Sequence, residues 1–415
     1  MPLRRTLLLI TSHRGMRALP PPLSLVLVLL LESVPLARCQ ISLVSVGATN
    51  DGGYASAIAV SGNYAYLANA AEGLRVYEIS NPAHPIRVAQ ATNSGLAFGL
   101  TVRSNLLYLA CDHEGLHIYD ISNPASPIPL GQATNDDVIP HSTAVAVSGD
   151  FAFLANANSG LWVCDISSPA SPVVVCQTTT NGGLFHSPID VAISGHYAYT
   201  ACVGDGLRIY DISNPASPIP LGQATNSLGS GSARAVAVAG TNVYLANSQD
   251  GLRIYDVSDP LNPINIGHAA ITKLGTQLFT VAAAGNYTYV GNTVDGLHIY
   301  DVSDPTNPTE VGSVDVGFVR SVALSGNYVY LANDTSGLRI FRQVPQLRIG
   351  LTATNTVLLS WPATPVLFSP QQSTNLASTN WVTFTNALTT TGATCQLSIS
   401  TPVGSTFYRL IAPSP

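Results

Sequence analysis

The motif Gly-Leu-x-(Ile/Val)-(Tyr/Phe/Cys) occurs seven times, starting at Gly73, Gly115, Gly160, Gly206, Gly251, Gly296 and Gly337, in steps of 42, 45, 46, 45, 45 and 41 residues. A period of this length restricts the fold, because each unit must bury its apolar faces against neighbouring copies of itself. The fourth unit shows the content of a period. Val191 to Ser194 is an apolar run closed by Gly195-His196, Tyr197 to Ala201 alternates, Gly206 to Ser213 alternates again, and Ile219 to Ala224 adds a fourth short strand. Four antiparallel strands and no helix per period predict one blade of a β-propeller.

Turn chemistry repeats with the strands. An acid-Gly pair opens the third strand in Glu72-Gly73, Glu114-Gly115, Asp205-Gly206, Asp250-Gly251 and Asp295-Gly296, where a tight turn needs a positive φ; Ser159 and Ser336 depart from it. Ser-(Asn/Asp/Ser)-Pro-x-x-Pro follows the third strand in six units, as in Ser122 to Pro127, and two prolines without N–H groups stop the ladder there. The seventh unit breaks at Phe341-Arg342-Gln343 and has no fourth strand of its own, while Ile41 to Thr49 stands as an orphan fourth strand before the first unit. Pairing of that segment beside Gly337 to Arg342 predicts an all-β, seven-bladed propeller closed by its amino-terminal strand.

The repeated phrase, represented by Ala59 to Pro85 ("AVSGNYAYLANAAEGLRVYEISNPAHP"), resembles the LVIVD repeats of bacterial and archaeal surface proteins over residues 41 to 342. The resemblance implies an exported propeller and no particular activity.

Residues 1–39 differ from the rest: Arg4, Arg5, Arg14 and Arg17 precede the uncharged run Leu23 to Leu31, a secretory signal pattern too short for a membrane span. Met16 offers a second start. Cleavage after Cys39 competes with lipidation of Cys39, although Arg38 occupies the position where a lipobox has Gly or Ala. Loss of the leader removes five arginines and one acid, leaving 12 basic and 22 acidic residues. An extracellular or cell-surface location without a transmembrane anchor follows from this reading. With one lysine, Lys273, and 10% charged residues, the chain has no basic stripe for nucleic acid.

Comparison of the units pairs one column, Tyr77, Tyr119, Cys164, Tyr210, Tyr255, Tyr300 and Phe341, with a second column twelve residues later, Ala89, Gly131, Cys176, Gly222, Gly267 and Gly312, to which Gly47 adds a seventh member. Facing columns predict an aromatic ring over glycine, and in the third unit a Cys164–Cys176 disulfide in an oxidising compartment. The alternative is two buried thiols. Cys111 and Cys202 share a column otherwise filled by Asn, and Cys395 lies in the tail; none has zinc-ligand spacing, so all three are read as structural fillers.

Beyond Pro345 a second pattern begins, with strands expected at Leu347–Thr352, Thr356–Trp361, Val366–Gln372, Trp381–Thr385, Cys395–Ser400 and Phe407–Ile411. This predicts a small β-sandwich over residues 345–415, after a propeller over 40–344. The phrases "STNLASTNWV" and "FYRL" resemble a fibronectin-like carboxyl-terminal module of exported proteins.

The loops from fourth strand to next first strand vary, whereas the Ser-Asn-Pro turns are monotonous, so a recognition surface is expected on the variable side. Just before the inner strands it presents Tyr54, Phe98, His141, His186, Arg234, Phe279, Phe318 and Arg320, which suit a sugar, peptide or small anion. Against this stand packing of the three phenylalanines between blades, and pairing of Arg234 with Asp190. His141, His186 and Asp137 make a metal site imaginable, but Asp136 and Asp137 flank no Asp-x-Asp-Gly loop, and His113 and His117 read as solvated hairpin residues. No cofactor or metal is expected. The reading is a monomeric, noncatalytic protein that binds an extracellular glycan, peptide or protein. Its alternatives are a secreted enzyme, a metal-assisted hydrolase or polysaccharide lyase working in the funnel, and a purely structural envelope component.

Overall fold

The computed structural model describes residues 40–411, except 51, 94, 135–140, 158, 179–186, 226–231, 272, 274, 353–355, 365–367, 375–379, 386–387 and 401–405. The signal reading of residues 1–39 lies outside the described residues. Secondary structure is β throughout, with one short 3-10 turn at Asp112–Glu114 and no α-helix among the described residues. Residues Ser42–Val344 form one compact unit, and the residues from Pro345 onward, with Ile41, belong to a second.

In the first unit seven four-stranded antiparallel sheets follow one another in a propeller-like repeat. Sheet 4 consists of Pro188–Ser194, Tyr197–Cys202, Gly206–Asp211 and Ile219–Ala224, in that order. Sheet 7 takes three strands from Ser321–Ser325, Tyr328–Ala332 and Leu338–Pro345, and its fourth, beside the third, from Ile41–Thr49. Second strands are almost wholly buried, as in Phe151–Asn156, because they sit mid-sheet with neighbouring sheets on both faces.

Apolar cores lie between successive sheets. Trp162 and Cys164 of sheet 3 pack with Tyr108, Leu116 and Ile118 of sheet 2, and Ile58 and Tyr77 of sheet 1 pack with Tyr330, Leu338 and Ile340 of sheet 7. Each fully buried side chain of this size contributes about 1.5–3 kcal/mol. Inner strands carry Ala59, Ala146, Ala192, Ala237, Ala282 and Ala323 in one column, with Thr101 in sheet 2. After each third strand one N–H ties the chain to the tip of the first hairpin, as in Ile212 to the His196 carbonyl at 2.8 Å.

The register of the outer strands corrects the facing-column reading. In sheet 2 Ile118 pairs with Gly131 and Tyr119 with Pro129, with a bulge between them. The extra residue in the fourth strand shifts the columns by one, so tyrosine and glycine point to opposite faces of the sheet. The Cys164–Cys176 disulfide is therefore absent. Cys164 pairs with Val174 and Cys176 with Val163; both thiols are free, Cys164 packing toward sheet 2 and Cys176 toward sheet 4. Burial pushes the Cys164 thiol up to about 12.

The glycine column has a different reason to exist. A Cβ added at Gly131 would stand 2.4 Å from the Pro169 carbonyl oxygen, at Gly222 2.3 Å from that of Pro260, and at Gly267 1.9 Å from that of Pro305. In these sheets the fourth strand lies directly against the proline turn of the following sheet, whereas Ala89 and Cys176 carry a Cβ in the same column in sheets 1 and 3. Gly47 in the strand Ile41–Thr49 meets the Pro82 carbonyl of sheet 1 in the same way, at 2.0 Å.

In the second unit one sheet has the order Arg348–Leu351, Thr356–Pro362, Thr394–Ser400, Thr389–Thr391, and the other Val382–Thr383, Ser369–Ser373, Phe407–Ile411. Val357, Leu359, Trp361, Cys395, Leu397 and Tyr408 form its core. No helix among the described residues is long and apolar enough to cross a membrane.

Candidate functional site

The seven inner strands begin around one central cavity of about 330 Å³, and every sheet contributes to its wall. Aligned units give two consecutive positions per sheet. The first holds Ser56, Phe98, Thr143, Ile189, Arg234, Phe279 and Arg320, and the second Ala57, Gly99, Ala144, Asp190, Ala235, Thr280 and Ser321. Each inner strand presents only two or three residues to the wall, so chemistry here is set by a few side chains on a repeated frame.

Four aromatic and cationic residues come together on one side. The Arg320 guanidinium stands 4.4 Å from the Phe318 ring centre and 5.4 Å from that of Phe279, while Arg234 lies 5.8 Å from the Phe279 centre. Phe279 and Phe318 meet edge to face at 4.9 Å. Arg320 is also bonded through Nε to the Asp334 carboxylate. Phe98, Phe279 and Phe318 are all half-buried, and the cavity wall includes Phe98 and Phe279. Phe279 of sheet 6 and Phe318 at the start of sheet 7 thus pack against each other as the alternative reading expected, and the next column, Ile58, Val145, Val191, Val236 and Val281, is buried.

The expected Arg234–Asp190 pair does not form. Asp190 accepts hydrogen bonds from its neighbour's amide, Val191 N, at 2.9 Å and from Val236 N of sheet 5 at 2.8 Å. Oδ2 thereby ties two inner strands together, as the Thr143 hydroxyl does when it donates to the Ile189 carbonyl at 2.8 Å, while Oδ1 is held within its own strand. Burial pushes the Asp190 carboxyl up to about 7, against the opposing pull of the two amides. The Arg234 Nε is buried with no hydrogen-bond partner.

The other sequence candidates lie apart from this cluster. Tyr54 is 53% exposed and forms no part of the cavity wall. His141 Nδ1 contacts the buried Asp112 carboxylate, whose second oxygen is 3.0 Å from His113 Nε2, and the two imidazoles are 5.2 Å apart. His186, Asp136 and Asp137 lie outside the described residues. No group of three His, Cys, Asp or Glu side chains among the described residues is placed to hold a metal ion.

His117 is not a solvated hairpin residue. It is largely buried and sits 2.9 Å from Glu114, and burial holds its pKa below the ordinary value although Glu114 opposes this. It belongs to a series that the turn reading missed: Arg75 pairs with Glu72, Arg208 with Asp205, Arg253 with Asp250 and His298 with Asp295. Part of the signal was in the chain, since Ser159, which lacks the acid, is followed by Trp162 where the others have Arg or His, although Arg339 follows Ser336, which lacks it too. Cys111 and Cys202 are buried, and burial pushes Cys202 up to about 11; neither thiol is disposed to act as a nucleophile.

The family model described as LVIVD repeat matches residues 52–92, 94–134, 141–180, 188–225, 230–269, 279–316 and 316–341, more than half of the chain. The chain belongs to the LVIVD repeat family. Its seven LVIVD repeats coincide with the seven sheets, and the cavity is lined by the start of each repeat's inner strand. Among solved structures, the crystal structure of the computationally designed Ika8 protein is similar in fold, with a TM-score of 0.52 at 10% identity over 74% of this chain and 100% of that one. No curated protein matches the chain.

Proposed function

We propose that this LVIVD-repeat protein is an exported, noncatalytic binding protein, a closed seven-bladed propeller that presents the mouth of its central cavity and the surrounding loops to an extracellular glycan, peptide or protein. The observation that carries this reading is the Arg234–Phe279–Phe318–Arg320 cluster beside a cavity of about 330 Å³. Aromatic faces and guanidinium forks supply binding energy without activating a nucleophile. Fixing them on inner strands reduces the ordering cost of recognition. Closure of the ring is supported by Gly47 against Pro82 and by the apolar core shared by sheets 1 and 7. Export rests on the arginine-rich leader followed by its apolar run. The second unit, read as a small β-sandwich, serves as spacer or attachment module.

The test is a glycan and peptide array probed with purified protein and with a Phe279→Ala, Arg320→Ala variant. Binding that the variant loses, with the ligand recovered unchanged, supports the reading. Binding indifferent to the variant, or conversion of the ligand, overturns it.

A further inference from the structure

We propose that the cavity mouth binds a uronate, a pyranose ring bearing one carboxylate, with Arg234 holding the carboxylate and the aromatic wall of Phe98 and Phe279 facing the ring. The inference rests on the binding reading above and names its ligand class.

The two cavity-lining guanidiniums are not equivalent. Arg320 is already paired with Asp334, whereas Arg234 has no acidic partner among the described residues and its Nε is buried without an acceptor. The guanidinium thus lacks a carboxylate partner beside the cavity, and an incoming carboxylate supplies one in a charge-assisted bond. The acid nearest in sequence alignment, Asp190, does not fill that role, because both of its oxygens are held by backbone amides. Its repulsion of an anion weakens as the pH falls below neutral, since its carboxyl is pushed up to about 7 by burial. The strands packed around it, Ser142–Ser148, Tyr197–Cys202 and Ala233–Ala239, contribute no charged side chain other than Arg234.

Shape and wall chemistry narrow the anion. A volume of about 330 Å³ is at the small end of ligand sites, suited to one ring rather than an extended polymer segment. The wall combines Phe98 and Phe279 with the hydroxyl-bearing Ser56, Thr280 and Ser321. A pyranose offers C–H faces to the first set and hydroxyls to the second. An inorganic anion would leave the rings unused, and a neutral sugar would leave the Arg234 Nε unanswered.

Calorimetric titration of the purified chain with glucuronate, glucose as its neutral counterpart, and R234Q decides the matter. Saturable glucuronate binding is expected, with glucose at least tenfold weaker and R234Q reducing glucuronate affinity at least tenfold, the size of one lost charge-assisted contact. Equal affinity for the two sugars, no saturable glucuronate binding, or undiminished binding by R234Q overturns the proposal. Should R234Q fail to fold, R234K replaces it: loss of the planar fork must weaken glucuronate and spare glucose, and unchanged glucuronate affinity overturns the proposal. Array binding of neutral glycans with no response to glucuronate removes this site and leaves the wider binding reading standing. Cleavage of glucuronide conjugates leaves the Arg234 site standing and removes the noncatalytic reading.

Discussion

Gly267→Ala tests the packing that holds neighbouring sheets in register. The added Cβ would lie 1.9 Å from the Pro305 carbonyl oxygen, and ordinary contact begins at 3.4 Å, so the two sheets must part by about 1.5 Å. Both groups are backbone, and neither can rotate away. Overpacking of a close-packed site costs about 1–3 kcal/mol, and the backbone nature of this contact places the expected loss at about 2–3 kcal/mol. Gly285→Ala is the control: it sits at a hairpin tip with φ 56 and nothing within 4 Å. Its cost is confined to the positive φ, about 1 kcal/mol. Urea denaturation followed by tryptophan fluorescence and far-UV circular dichroism reads both. A Gly267→Ala loss no larger than that of Gly285→Ala would refute the claim that strand-four glycines exist for the next sheet's proline turn. Ala89 and Cys176 already occupy this column in sheets 1 and 3, so Ala89→Gly is expected to give little gain in stability.

Two further outcomes are expected. The Asp190 carboxyl, near 4 in an unfolded chain and about 7 when folded, retains a proton on folding between those values, so stability is greatest below pH 4 for this group and is lost as pH rises through 7. Three pKa units correspond to about 4 kcal/mol, an upper bound for a mostly buried side chain that also lines the cavity; Asp190→Asn should flatten the stability difference between pH 5 and pH 8, and an unchanged difference excludes Asp190 as its source. For the cysteines, thiol titration of the unfolded protein should find both Cys164 and Cys176 reactive without prior reduction, whereas a reductant-dependent pair of thiols in the peptide joining them would contradict the bulged register.

The repeat was legible to the residue in places. Ile219–Ala224 is a strand with the expected ends, and Gly206 opens the third strand of sheet 4, because glycine and proline punctuation is local chemistry written in every unit. That third strand ends at Asp211 rather than Ser213, since the Asp211 carboxylate accepts from the Ser213 amide and folds the chain into its turn. The tail strand Thr389–Thr391 was invisible, being three threonines with no apolar alternation to mark it.

What sequence columns cannot carry is a change of pairing partner. One bulged residue per outer strand leaves the spacing of Tyr119 and Gly131 intact while turning their side chains to opposite faces, and a co-occurring cysteine pair then imitates a crosslink. The cavity shows the same limit in electrostatic form. Asp190 and Arg234 occupy adjacent columns with opposite charge, yet the carboxylate is claimed by two amide N–H groups whose burial would otherwise leave them unpaired. Backbone demands are invisible in side-chain alphabets. Where they take an acid away from its natural cation, they leave a guanidinium unanswered beside the cavity, and this separates Arg234, whose Nε has no partner, from Arg320, which Asp334 holds.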